Sequence, residues 1–228
     1  MIIGNGMIAK GFEKFKYNNQ VVIFASGVSN SGETSKVEFS REEDILKRVL
    51  KEEEDKIFIY FGTCSVYDSQ SFQGCYVEHK LKMEKIVQST HSNYLIFRLP
   101  QVLGKNNKKQ LVGFLFDKLK NDELFSLYDI ERNIIDISDI EKIASRILKN
   151  KLFINSIVNI ANPKNIKVLE LVDLLKRVLK IKPRYTIVDK TGSLDICIND
   201  IRFIIDELNL FHENYIKERV SRYCERID

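Results

Sequence analysis

Tyr76 and Lys80 stand four residues apart, downstream of a small polar stop that contains Thr63. On a helix that spacing puts both side chains on one face. An ammonium held beside a phenol favours the phenolate and lowers the tyrosine pKa. The Thr63 hydroxyl could share a substrate oxygen with the phenol. Together these groups can move a proton on and off a sugar or alcohol oxygen while hydride moves elsewhere. The spacing alone carries little. With nine tyrosines in a chain that holds 36 lysines and arginines, a Lys four after a Tyr is expected about once by chance. Its meaning depends on the elements that would position it.

Ile57 to Phe61 is a short apolar run that reads as a buried strand, and a helix is expected from about Tyr76 to Thr90 with Leu81, Met83, Ile86 and Val87 inward. Upstream, Met1-Ile2-Ile3 reads as a very short strand followed by Gly4-Asn5-Gly6-Met7-Ile8-Ala9. Gly4, Gly6 and Ala9 fit G-x-G-x-x-G/A: a tight turn, close backbone approach to a pyrophosphate, and close packing of helix on strand. Free N–H groups at the helix start would face the phosphates. That helix is expected to end near Phe15 to Tyr17. Val21 to Phe24 reads as the next strand, closed by Ala25-Ser26-Gly27. Ser40 is expected to cap a helix, with Glu43 completing a capping box and Ile45, Leu46, Val49 and Leu50 forming its apolar face. Tyr94 to Phe97 is another buried strand, ending at Arg98-Leu99-Pro100. The repeated βα order predicts an α/β fold with a Rossmann-like parallel sheet.

After Gly104 the character changes. Helices are expected over Leu111 to Leu119, from a cap at Ser138 or Asp139 through Leu148, and over Val168 to Leu179. Short strands are expected near Leu124 to Tyr128, Asn133 to Ile137, Ile157 to Ile160 and Tyr185 to Val188. The expected division is a core over 1–104 and a smaller α/β substrate lobe over 105–228, interleaved with it.

Bulk properties narrow the function classes. The length suits one domain, or a large domain with a small subdomain. Hydrophobic content of 44% supports a core, and a formal charge of +4 with both signs mixed is a solvated surface rather than a nucleic-acid footprint. Lys105, Lys108 and Lys109 read as a solvated loop. No apolar run reaches membrane-spanning length. Cys64, Cys75, Cys197 and Cys224 lack metal-type spacing and, without a secretory signal, read as cytosolic thiols; no metal site and a cytoplasmic location are expected.

The order of these features resembles the extended short-chain dehydrogenase/reductase family of NAD-dependent nucleotide-sugar epimerases, dehydratases and reductases. Thr63-Cys64-Ser65-Val66-Tyr67 resembles its Ser/Thr-x-x-Val-Tyr segment, and Tyr76 with Lys80 its Tyr-x-x-x-Lys pair. Arg98-Leu99-Pro100-Gln101-Val102-Leu103-Gly104 resembles Arg-Leu-Pro-x-Val-Tyr-Gly, and Arg132 with Ile135 to Ile140 resembles Arg-x-x-x-x-Val-x-Asp. The resemblance implies Tyr76 as acid/base, Lys80 on the nicotinamide ribose and Thr63 on the substrate oxygen. It places Gly4, Gly6, Met7 and Ile8 at the pyrophosphate, Ala25, Ser26 and Gly27 under the ribose, and Pro100 beside the nicotinamide. Gln101 and Arg132 would hold the substrate, Arg132 at its diphosphate. NAD or NADP would be the cofactor, a nucleotide sugar the substrate, and a homodimer through the helices near Ile45 and Lys80 the assembly. His79 reads as a solvated or core histidine, and Cys64 and Cys75 as buried small apolar residues.

The departures are specific. Few residues separate Gly11 from Val21, where the family has two further strands and a helix, so the sheet is expected to stop at its first strand on the adenosine side. No acid stands where the adenosine ribose would be held; Glu13 falls inside the helix. Ile3 replaces a Gly, Gly62 replaces a Ser, and the interval from Thr63 to Tyr76 is short. Three readings follow: an active nucleotide-sugar enzyme, a degenerate relative that binds a nucleotide sugar or a protein partner without turnover, and an unrelated α/β domain. Family likeness alone does not fix function.

Overall fold

The computed structural model describes residues 1–68, 74–105, 110–182, 184–188, 192 and 194–225. Lys108 and Lys109, and part of the short interval between Thr63 and Tyr76, lie outside the described residues. A parallel sheet of five strands forms the centre, in the order β1 (Ile2–Ile3), β2 (Val21–Phe24), β3 (Ile57–Thr63), β4 (Tyr94–Leu99) and β9 (Ser156–Asn159). Among the described residues β1 is its edge on one side, and it pairs with β2, Ile3 opposite Phe24.

Both faces of this sheet are covered, which is why its strands read as unbroken apolar runs rather than alternating ones. Successive residues point to opposite faces. Val22, Phe24, Phe58, Tyr60 and Ile96 pack against α2 (Lys36–Glu52) and α3 (Cys75–Thr90). Val21, Ile23, Ile59, Phe61 and Phe97 pack on the other face with Ile140, Ile143 and Ile147 of α5 (Ile137–Lys149) and Ile204 of α7 (Arg202–Glu207). That second face therefore joins residues from both halves of the chain.

A separate apolar core unites α4 (Leu111–Lys120), α6 (Val168–Leu179) and α8 (Tyr215–Glu225). Among the described residues three two-stranded sheets accompany it: β5 (Gln101–Leu103) with β8 (Ile134–Asp136), β6 (Phe125–Tyr128) with β11 (Tyr185–Val188), and β7 (Glu131–Arg132) with β10 (Ile166–Lys167).

Several local expectations are corrected. The first helix, α1, spans only Met7–Gly11 and is followed by a 3-10 turn over Glu13–Phe15. Gly11 is a poor helix former, and Phe12 turns fully into the core at that break. α2 starts a turn earlier than expected, because the Ser35 hydroxyl accepts the Glu38 N–H at 3.4 Å. Ser35-Lys36-Val37-Glu38 carries the same capping-box pattern as Ser40 to Glu43; Ser40 lies exposed inside the helix. α5 is capped by Asp136, which accepts the Ser138 N–H at 2.8 Å, and not by Ser138 or Asp139. Asp139 is instead buried, accepting Tyr215 Oη at 2.9 Å and pairing with Arg219 at 2.8 Å. Cys75 is exposed rather than buried, whereas Cys64 is buried.

Gly4 is where the first two turns touch. Its φ is +122°, and a Cβ there would lie 2.4 Å from the Ala25 carbonyl oxygen. Gly4→Ala therefore combines a left-handed backbone with a backbone clash, and is expected to cost at least about 3 kcal/mol. Chemical denaturation followed by circular dichroism measures it; a loss within experimental error of zero would show that the two turns are not packed as described.

Candidate active site

Because the central strands are parallel, their carboxyl ends share one edge, where ligands bind in open α/β sheets. Gly4, the Ala25–Gly27 turn and Pro100 follow strand ends on that edge, and Thr63 is the last residue of β3. Ile3, Phe24 and Tyr60 lie level across β1, β2 and β3, while β3 and β4 continue three residues further to the Thr63–Leu99 pair. At about 3.3 Å per residue, Thr63 therefore stands about 10 Å beyond the level of the Phe24 end of β2.

The glycine turn has two different glycines. Gly4 is forced by its contact with Ala25, as described. A Cβ on Gly6 would meet nothing within 4 Å, so the space over Gly6 is open to a ligand. Met7 packs on Gly104, whose Cβ would come 2.5 Å from the Met7 sulfur. Ile8 packs against the core beneath the sheet.

Thr63 is buried, and its Oγ1 accepts the Ser65 N–H at 3.1 Å. A hydroxyl that accepts there still has its own proton to donate. Tyr76 is the second residue of α3, and with Ser31, Ser65, Gly74 and Val77 it lines a cavity of about 170 Å³. Ser65, two residues beyond Thr63 and hydrogen-bonded to it, links the end of β3 to this cavity.

Lys80 and Tyr76 share the inner face of α3, as the spacing requires, but the ammonium is engaged elsewhere. Lys80 Nζ lies 3.1 Å from Glu42 Oε1 and 4.7 Å from the centre of the Tyr60 ring. Glu42 has no exposed surface and gathers four donors. Oε1 takes the Tyr60 hydroxyl at 2.7 Å as well as Lys80; Oε2 takes the Val28 N–H at 2.7 Å and faces His79 Nε2 at 2.9 Å. Burial by itself disfavours the Glu42 carboxylate. The Lys80 ammonium, His79, the Val28 N–H and the Tyr60 hydroxyl outweigh it and hold its pKa at about 2. His79 is a core histidine, stacked on Phe39 at 4.5 Å. Gly27 closes over the pair: a Cβ there would lie 2.7 Å from Glu42 Oε1 and 2.8 Å from Lys80 Nζ.

A second buried ion pair stands at the end of β3. Arg98 clasps Glu84 with Nε at 3.0 Å and Nη2 at 2.6 Å. Gly62 leaves room beside it: a Cβ there would fall 2.3 Å from Glu84 Oε1, so a side chain at this position would push the Glu84 carboxylate aside. Arg98 also donates to Tyr67 Oη at 3.1 Å, and Tyr67 donates to Asn159 Oδ1 at 3.0 Å, tying the segment after β3 to β9. Cys64 lies within this packing, its thiol on the Arg98 carbonyl, and burial pushes its pKa up.

Pro100, half-buried, joins β4 to β5. Gln101 does not line the Tyr76 cavity; it borders a separate small one with Leu103, Gly104 and Tyr223. Arg132 sits on β7 with its guanidinium 3.9 Å from the Asp68 carboxylate, so it faces the segment that follows Thr63. Glu42 and Glu84 were missed by motif reading. The available signal was position: Glu42 falls on the stripe of Phe39, Leu46 and Val49, and Glu84 on that of Val77, Lys80 and Val87. A charge on an apolar stripe needs a buried partner.

No protein-family model matches this chain, and no curated protein matches it in sequence. Solved structures do match in fold. A dTDP-glucose 4,6-dehydratase from Bacillus anthracis in complex with NAD superposes with a TM-score of 0.71 at 13% identity, over 98% of this chain and 78% of that one. A UDP-glucuronic acid 4-epimerase from Bacillus cereus in complex with NAD gives 0.70 at 16% identity, over 91% and 72%. A UDP-N-acetylglucosamine 4-epimerase from Methanobrevibacter ruminantium in complex with UDP-N-acetylmuramic acid gives 0.70 at 17%, over 95% and 79%. The chain has the Rossmann-like α/β fold of these nucleotide-sugar enzymes. Among the described residues no helix is long and apolar enough to cross a membrane.

The depressed pKa of Glu42 predicts an acid limb of stability. Its folded value, about 2, lies below the unfolded value near 4.5. The unfolded chain therefore takes the proton first, so the stabilisation is complete above pH 4.5 and is lost as the pH falls towards 2. Urea titrations of wild type and Glu42→Gln through that window should diverge, wild type losing on the order of 3 kcal/mol more. Parallel curves would show that the Glu42 pKa is not lowered in the folded state.

Proposed function

We propose that this protein is an NAD(P)-dependent enzyme of the epimerase, dehydratase or reductase type acting on a nucleotide-activated sugar, with Tyr76 as its acid/base. One observation supports the reading: Tyr76 lines a cavity together with Ser65, whose N–H donates to the Thr63 hydroxyl at the end of β3, in a fold shared with nucleotide-sugar enzymes.

The roles proposed are those that the family resemblance implies for these residues. Thr63, whose oxygen already accepts from Ser65 N–H, donates to the substrate oxygen. Tyr76 exchanges one proton with that same oxygen. Arg132 meets the substrate diphosphate in competition with Asp68, and Gln101 belongs to the substrate side. The pyrophosphate half of a dinucleotide fits the open surface over Gly6, with Met7 and Ile8 beside it and Ala25, Ser26 and Gly27 under the ribose. At the ribose itself the fit is conditional: Lys80 reaches it only by sharing or leaving Glu42. Pro100 follows the strand end beside that position. A nicotinamide dinucleotide would supply the hydride chemistry; the chain's own residues bind, orient and move the proton. A homodimer through α2 and α3 belongs to the same reading. Its face carries Glu43 bridging Lys47 at 2.7 Å and Lys82 at 2.6 Å, so that interface would be polar.

A second reading has its own support. A non-catalytic relative that binds a nucleotide sugar or a protein partner would tolerate a lysine committed to Glu42, and would not need an adenosine-side acid.

Tyr76→Phe decides between them. The phenyl ring fills the same space and cannot give or take a proton. With UDP- and dTDP-sugars and either dinucleotide, the variant should lose about 10²- to 10⁴-fold in turnover with sugar-nucleotide affinity retained by calorimetry. Undiminished turnover would remove Tyr76 from the reaction. Wild type that binds the sugar nucleotide but neither dinucleotide would establish the second reading.

A further inference from the structure

We infer that Tyr67 is a positioning residue: its hydroxyl, clasped between Arg98 and Asn159, braces the turn after β3, and so keeps the Ser65 N–H on the Thr63 oxygen and leaves the Thr63 proton for the substrate. The brace is read from the packing; its consequence for turnover rests on the acid/base reading proposed above.

The turn has little to hold it from within. It is a 3-10 helix of four residues, Cys64–Tyr67, a geometry with poorer hydrogen bonds that proteins use in short pieces. Inside it the Ser65 N–H meets Thr63 Oγ1 at 3.1 Å, and the Asp68 N–H meets the Ser65 carbonyl at 3.1 Å. Support from neighbouring strands arrives at both ends. At the start the Cys64 thiol donates to the Arg98 carbonyl at 3.4 Å. At the finish stands Tyr67, whose hydroxyl reaches β4 and β9 together.

Both partners of Tyr67 are themselves fixed. Gly62, Arg98 and Asn159 stand in one row across β3, β4 and β9. Glu84 locks Arg98 through Nε at 3.0 Å and Nη2 at 2.6 Å, and Nη1 then donates to the Tyr67 oxygen at 3.1 Å. Asn159 is held at both ends of its amide: Nδ2 donates to the Cys197 carbonyl at 2.9 Å, and Oδ1 accepts from Tyr67 at 3.0 Å. The phenol oxygen therefore accepts from a cation and donates to an amide in one defined orientation. A bond from a charged donor is roughly twice as strong as a neutral one, which matters for a residue 38% exposed to water. Ser65 lies midway between Thr63 and Tyr67 and lines the Tyr76 cavity, while Asp68, next after Tyr67, faces Arg132 at 3.9 Å. Bracing Tyr67 thus sets the height of Ser65, and through it the Thr63 hydroxyl. A misplacement of about 1 Å at a reacting group can cost about 10²-fold in rate.

Amide hydrogen exchange on nitrogen-labelled protein reads the brace without turnover. In Tyr67→Phe the ring stays and the hydroxyl goes. The Ser65 amide should then exchange about tenfold faster or more, while Ile59 and Leu95 in the strands keep their wild-type rates. Asn159→Ala removes the acceptor and should reproduce the effect. Asn159→Asp supplies an acceptor again and should return Ser65 towards wild type, which a general loss of stability would not do. With a sugar nucleotide that is turned over, Tyr67→Phe should lower kcat about tenfold or more and leave KM within about twofold. If Tyr67→Phe does not fold, the two Asn159 variants carry the same comparison. An unmoved Ser65 in a folded Tyr67→Phe, an acceleration shared by Ile59 and Leu95, an Asn159→Asp that exchanges like Asn159→Ala, or an undiminished kcat would each overturn the inference. A protein that turns over no sugar nucleotide refutes the acid/base reading and leaves the exchange comparison to decide the brace. One that turns over with Ser65 unmoved in Tyr67→Phe loses this inference alone.

Discussion

One carboxylate with no exposed surface, Glu42, ties together four segments that are remote in sequence: the turn after β2, the strand β3, its own helix and the helix of Tyr76. Burying a charge is costly unless its partners are complete. Here they are complete, since each carboxylate oxygen has two neighbours. The arrangement dictates the spacing of α2 from α3 and places Val28, and through it Gly27, at a fixed height over Lys80. The turn that contacts Gly4 is the same Ala25–Gly27 turn, so the glycine turn after β1 is held indirectly by the same network.

The second pair, Glu84 with Arg98, repeats this logic at the next strand. Its guanidinium fork meets a buried carboxylate with two nitrogens, which is the strong geometry for such a pair. Gly62 leaves the space it needs, and Tyr67 extends it to Asn159 on β9. Two helix carboxylates thus anchor α2 and α3 to β3, which ends at Thr63, and to β4, from which Pro100 follows. Rigid support of this kind lets short loops present reactive groups at a defined position.

The edge of the sheet gives the site its asymmetry. On the β4 side, β9, α5 and the apolar core beneath them extend the fold towards the small sheets that carry Gln101 and Arg132. On the β1 side, a strand of two residues is the last among those described. A ligand lying along the strand ends would therefore meet many groups of this chain on the β4 side and few on the β1 side. The open surface over Gly6 and the closed one over Lys80 point in the same direction.

How much of this was legible without coordinates can be argued residue by residue. The apolar runs of β2, β3 and β4, the glycine turn at Gly4 to Ala9 and the placement of Tyr76 and Lys80 on one helix face all rest on local rules. A strand buried on both faces must be apolar throughout, and residues four apart on a helix must be neighbours. Helix ends were less legible, because Ser35 and Ser40 offer the same capping pattern and only packing chooses between them. The partners of Lys80 and Arg98 were not legible at all. Sequence shows that Glu42 and Glu84 lie on apolar stripes and so must find a buried cation. Which cation each meets depends on how α2 and α3 lie across the sheet, and that is set by the whole apolar interface of Val22, Phe24, Phe58, Tyr60, Leu46 and Met83. The sequence by itself determined which groups could do chemistry and which edge of the sheet would hold them. Only the tertiary structure decided that the lysine beside the tyrosine already has a counter-ion, because charge pairing across distant elements follows from packing and not from spacing along the chain.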